Sequence, residues 1–188
     1  MKKLSLIAII ISLALPGLTQ SQGLEYLDIN NISARFNANG NHFWNSENSH
    51  YYFPKDSSTQ TIFTNALWLG GLDESNNLRL AAETYRQSGM DYQTGPLSFN
   101  NDSAWINTTT VQDYYKIWKL DKTDVEYHVM NWAEPGYEPI ENISDWPAHG
   151  DETLNQSYHL APFIDMNNNG DYEPMQGDYP LIRGDQSL

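Results

Sequence analysis

TIFTNALWLGGLDESNNLRLAAETYR, residues Thr61 to Arg86, holds two apolar runs on either side of a turn-forming hexapeptide. In the first run, Ile62, Ala66 and Trp68 share one face of an extended chain, and Phe63, Leu67 and Leu69 share the other. A short run that is apolar on both faces reads as a strand buried on both sides. LDESNN, residues 72–77, then supplies the Asp, Ser and Asn that bond their own backbone in tight turns. The second run alternates, with Leu78, Leu80 and Ala82 on one face and Arg79, Ala81 and Glu83 on the other. That is the pattern of a half-buried strand. Two strands joined by a short polar turn make a β-hairpin, and the chain is expected to be mainly β, a β-sandwich-like domain.

Outward from this hairpin the signals thin. YYKIWKL, Tyr114 to Leu120, reads as a further strand. One helix is predicted next. Thr123 and Glu126 fit a capping box, and Val125, His128, Val129 and Trp132 follow at i, i+3, i+4 and i+7 on one apolar face. Glu134-Pro135-Gly136 ends it. Six of the nine prolines fall between Pro135 and Pro180, so residues 121–188 are a short helix followed by loops. Loops this long stay ordered only when something ties them down. Residues 22–120 form the β-rich part of the same domain.

The first 21 residues read as an export leader. Lys2 and Lys3 precede an apolar run from Leu4 to Leu15, Pro16 and Gly17 break it, and Thr19 and Ser21 are small residues before a cleavage point at Gln22. The run is too short to anchor in a bilayer, which takes about 20 residues. The mature chain is expected to be exported, extracellular or on the outer cell surface, without membrane insertion. Losing Lys2 and Lys3 takes the formal charge from −14 to −16. Such a surface repels nucleic acid, whose phosphates need Lys and Arg. Aromatic residues make up 13% of the chain, which argues against disorder. There is no cysteine, so an exported domain must find its rigidity without disulfides.

FIDMNNNGDYEPMQGDYP, Phe163 to Pro180, offers a substitute. Counting from Asp165, oxygen-bearing side chains stand at position 3 (Asn167), 5 (Asn169), 7 (Asp171) and 9 (Glu173), with Gly170 at position 6. This is the alternation by which an EF-hand loop curls around calcium. Position 12 is Gln176 where the EF-hand has a bidentate acid, and Asp178 would complete the shell. The predicted structural calcium ligands are therefore Asp165, Asn167, Asn169, Asp171, Glu173 and Asp178. The competing reading is a polar Asn/Asp/Gly turn bonded to its own backbone.

Other constellations carry less. His128, His149 and His159 match no metal-ligand spacing; His128 reads as a packed core residue and His149 as a loop hydrogen-bonder. No nucleophile elbow, phosphate loop or dinucleotide fingerprint occurs, and no carboxylate pair is marked out. Trp44, Tyr92 and Trp105 would make a sugar-binding platform if they shared a face, although core and turn packing is the favoured reading. Arg183-Gly184-Asp185 spells an integrin tripeptide and is read as coincidence or as further structure around the loop.

Four stretches carry a family resemblance: YLDINNISARFNANGNHFWN (26–45), NALWLGGLDESNNLRLAAETYRQSGMDYQTGPL (65–97), WPAHGD (146–151) and LAPFIDMNNNGDYEPMQGDYPLIRGDQ (160–186). Together they resemble the N-terminal region of large exported proteins of bacteria that use the type IX secretion system. The likeness spans nearly all of the mature chain. It implies a β-rich N-terminal region of a surface or secreted protein, with later modules and a sorting domain beyond Leu188, so the chain is expected to be a partial sequence. Gln93-Thr94 stands where the family tends to have Trp-Pro, which weakens an aromatic platform there. The function expected is a structural or adhesive module without catalytic activity, stabilised by calcium. Its partners would be an extracellular glycan or surface protein, besides the secretion machinery. The alternatives are a carbohydrate-binding module and an extracellular hydrolase of polysaccharide or protein.

Overall fold

Over residues 23–86, 89–101 and 103–188, which the computed structural model describes, strand outweighs helix by 28% to 16%. The fold is mainly β, and its strands are spread over one three-stranded and five two-stranded antiparallel sheets. The export leader expected over 1–21 lies outside the described residues. Among those residues, no helix is long and apolar enough to cross a membrane.

The first sheet joins β1 (Leu24–Leu27), β2 (Ser33–Asn37) and β4 (Tyr51–Tyr52), with β2 in the middle. Between them, β3 (Asn41–His42) pairs with β5 (Asn65–Ala66). The hairpin follows as β6 (Trp68–Leu72) and β7 (Leu78–Ala82), in register from Trp68↔Ala82 to Leu72↔Leu78. Its turn works as the composition demands: Asp73 accepts the backbone N–H groups of Ser75 and Asn77, each at 2.9 Å, and Asn76 takes φ +61°. The burial expected of it is overturned. Every residue of β6 is exposed, Trp68 by 64% and Leu72 by 67%, as are Leu78 and Leu80 of β7. The reason is topological, since β6 and β7 pair with each other alone.

A second hairpin, β8 (Ser98–Asn100) and β9 (Ser103–Trp105), leads into helix α1 (Thr108–Asp113). The Asn107 side chain caps α1 by accepting the Thr110 N–H at 2.7 Å. The strand predicted over Tyr114–Leu120 does not form. The N–H groups of Tyr114 and Tyr115 bond back to Thr110 and Gln112, continuing the helix end, and the ring of Tyr114 turns to Trp118. Only Leu120 enters β10 (Leu120–Asp121).

Helix α2 (Lys122–Asn131) confirms the predicted helix, with its cap two residues earlier than expected. Asp121 and Asp124 form the capping box, Asp124 accepting the Asp121 N–H at 3.3 Å. Of the predicted apolar face, Val125 and His128 are buried, Trp132 is half-buried and Val129 is exposed. Val125 packs with Leu120 and with Ile143 of the one-turn helix α3 (Glu141–Ser144), and Trp146, Tyr179 and Ile182 close around them. β11 (Phe163–Ile164) pairs with β12 (Tyr179–Pro180), and β13 (Gln186–Ser187) returns to β10.

Candidate metal centre

The Asp165–Asp178 segment is the connection of a small hairpin. Phe163 and Ile164 pair with Pro180 and Tyr179, so Asp165 leaves one strand opposite the point where Asp178 enters the other. Both carboxylates are turned onto backbone. Asp165 accepts the N–H groups of Asn168 at 2.6 Å and Gly170 at 2.8 Å, one on each oxygen. Asp178 is fully buried and accepts those of Met166 and Glu173, each at 2.8 Å. Asn167 and Asn169 continue the series, accepting the N–H groups of Asn169 and Asp171 at 3.0 and 2.9 Å. The curl needs left-handed backbone at Asn168 (φ +58°) and Gly170 (φ +91°), conformations that Asn and Gly tolerate best.

The six predicted ligands therefore divide. Asp165, Asn167 and Asn169 stand on consecutive turns of one curl, and Glu173 is tied to it because its Oε2 accepts Asn169 Nδ2 at 2.6 Å. Asp178 lies beneath the curl with both oxygens engaged. Asp171 points sideways and accepts the Tyr158 hydroxyl, which pushes the Tyr158 pKa upward. Among the described residues, no three His, Cys, Asp or Glu side chains gather as a metal-holding group. The oxygens of the curl retain coordinating capacity, because a carbonyl or carboxylate oxygen that accepts one N–H keeps a second lone pair. The field around them favours cations: from Thr123 to Ile182 there are twelve Asp and Glu and no Lys or Arg.

A frame that the sequence pattern did not reveal holds this loop. His149 Nε2 accepts the Tyr172 N–H at 2.9 Å and its Nδ1 donates to the Tyr158 carbonyl at 3.1 Å, so the ring is the neutral Nδ1–H tautomer. It stacks on Tyr158 at 4.2 Å and meets Phe163 edge-on. Tyr172 donates its hydroxyl to the Ile143 carbonyl at 2.6 Å, joining the loop to the core; burial raises its pKa. Gly150 permits the approach, since a Cβ there would collide with the Ser157 carbonyl. The only sequence signal for this frame was the WPAHGD stretch, where His149 reads as a hydrogen-bonder. His128 is a core residue as expected: its Nε2 donates to the Asp178 carbonyl at 2.9 Å, and its Nδ1 accepts the Tyr137 hydroxyl at 3.0 Å.

The three platform aromatics occupy separate settings. Trp44 is buried against Phe63 and Tyr85, Tyr92 hydrogen-bonds the carbonyls of Leu67 and Ala81, and Trp105 is exposed on β9. Among the described residues, the carboxyls whose pKa moves all move downward: Asp28 through its hydrogen bond to Lys119, Asp73 through Asn77, and Asp151 through Thr153. Compared with family models, with curated proteins and with solved structures, the chain matches none.

Proposed function

We propose that the chain is a structural or adhesive module of a secreted or cell-surface protein, of the kind exported by type IX secretion, without catalytic activity, and that calcium binds its Asp165 loop. The observation that carries the reading is the curl of Asp165, Asn167 and Asn169, whose oxygens cap successive backbone N–H groups inside a segment of twelve carboxylates without a compensating Lys or Arg. A divalent cation there relieves carboxylate repulsion and cross-links the oxygens of the loop, so its binding free energy adds to folding free energy. Carboxyls held well ionised, as at Asp28, suit scaffolding better than general-acid chemistry, which needs a raised pKa.

The test is thermal unfolding in EDTA and in about 5 mM calcium, for the native protein and for Asp165→Ala and Asn169→Ala. At the affinities usual for extracellular modules, calcium should add ~1–2 kcal/mol, a rise of roughly 2–8 °C. Both variants should lose the calcium-dependent rise, whatever their own melting temperature in EDTA. An equal melting temperature with and without calcium in the native protein would reduce the loop to a self-capped turn.

A further inference from the structure

A cleft of about 760 Å³ lies apart from the Asp165 loop in sequence, between the first sheet, the Asn-rich segment that follows β2 and helix α1. In a chain with 24 Asp and Glu, none of the described residues lining it is acidic. Its one charge is Arg35, on the central strand β2. Arg35 Nε donates to Asn37 Oδ1 at 2.7 Å, which fixes the plane of the guanidinium. Its two terminal nitrogens meet no carboxylate and no other acceptor among the described residues. The charge is felt nearby: burial lowers the His50 pKa first, and Arg35 lowers it further.

The amides around Arg35 are oriented the same way. Asn39 Oδ1 accepts the Asn41 N–H at 3.2 Å, and Asn45 Oδ1 accepts the N–H groups of Glu47 and Asn48 at 3.0 and 2.7 Å. Backbone N–H groups only donate, so these bonds assign the oxygens to the protein. The Nδ2 groups of Asn39 and Asn45 are left without partners among the described residues. Asn41 Oδ1 is likewise taken, by the Thr64 hydroxyl at 3.1 Å. The cleft therefore offers a surplus of hydrogen-bond donors and one unpaired cation. Trp44 is buried in its wall, and Tyr115, 48% exposed, lays its ring at the rim against Gly23. The backbone accepts φ +65° at Phe43 and +78° at Ser46 on either side of Trp44 and Asn45, a conformation costly to non-glycine residues.

A ligand for such a site brings acceptor oxygens, a face for an aromatic ring and a single negative charge. Ligands that crowd several charges into the cleft itself are disfavoured, because its one Arg offsets a single charge against a net −14. A peptide pairs each carbonyl with an N–H donor, whereas the ring and carboxylate oxygens of a sugar acid only accept, which suits a donor-rich wall better. We propose that this cleft binds a uronic-acid unit of an acidic polysaccharide. Arg35 takes the carboxylate with its two free nitrogens, the geometry for which a guanidinium fork is suited. The amides of Asn39, Asn41 and Asn45 donate to ring and hydroxyl oxygens, and Tyr115 covers the C–H face of the sugar. The site shares no residue with the Asp165 loop.

The experiment titrates the full chain, in EDTA so that calcium plays no part, with trigalacturonate, with its neutral methyl ester and with inorganic phosphate, read by calorimetry and tryptophan fluorescence. Trigalacturonate should bind saturably, and the ester and the Arg35→Gln variant at least about tenfold more weakly, the loss of one charge-assisted pair. Tyr115→Ala should weaken binding several-fold with the circular dichroism spectrum unchanged. No saturable binding of trigalacturonate up to about 10 mM, weaker than any useful affinity, overturns the proposal. So does equal binding of the acid and its ester, which decides the matter even if Arg35→Gln fails to fold. Phosphate binding tighter than trigalacturonate would overturn the sugar in favour of a simple anion.

Discussion

Asp178 concentrates more of the molecule's order than any other single side chain of the loop. It is buried, its two oxygens hold the N–H groups of Met166 and Glu173, and its own carbonyl receives His128 from helix α2. One residue thus ties the loop to the helix. Asp178→Ala leaves two partly buried N–H groups without acceptors, and Asp178→Asn sets an NH₂ group against one of them. Either change should cost ~2–4 kcal/mol, measured by urea unfolding in EDTA. An equally large loss only when calcium is present would mean that Asp178 acts as a ligand instead. In the sequence this residue was visible as an acid near the loop's end. Its inward turn was not, because that follows from the β11–β12 pairing, which sets Asp178 across from Asp165.

At the scale of elements, the β6–β7 hairpin was legible down to its turn, because Asp73 and Asn76 carry the turn chemistry in their own side chains. Its burial was not legible, because apolar alternation records what a strand could bury and says nothing of whether a neighbour covers it. Leu72→Ser and Leu78→Ser should each change stability by less than about 0.5 kcal/mol in thermal unfolding, as exposed positions do. A loss of 2 kcal/mol or more, the scale of a buried leucine, would show the hairpin covered in solution. The misread strand at Tyr114–Leu120 has a related cause. Its Tyr, Ile and Trp content suits a strand, but Asn107 starts a helix whose end draws in the N–H groups that a strand would have offered to a neighbour. The candidate loop was read from its spacing alone, whereas the His149, Tyr158 and Tyr172 frame joins residues 9 to 29 positions apart and leaves no periodic trace.

Over the whole molecule, three histidines in different regions share one electrostatic condition. His42, His50 and His128 each have a pKa lowered from 6.5, chiefly by burial, and His50 Nε2 is buried without a partner. The unfolded chain takes up these protons first, so their stability contribution is complete above about pH 6.5 and is lost as pH falls toward the folded values. Unfolding free energy should fall on acidification from pH 7, and His50→Phe should flatten that slope by removing one proton from the uptake. An unchanged slope in the variant would mean that His50 is hydrated and titrates normally. At the other end of the chain, Gln186 takes the Asp28 N–H at 2.8 Å and donates to the Asp28 and Asp121 carboxylates, across separations of 158 and 65 residues. A polypeptide made from its amino end cannot close this clasp until Gln186 has been added. The corner at Asp28 must therefore wait for 158 further residues before it is fastened, and a chain stopped short of Gln186 would keep that corner loose even with β1 already paired to β2.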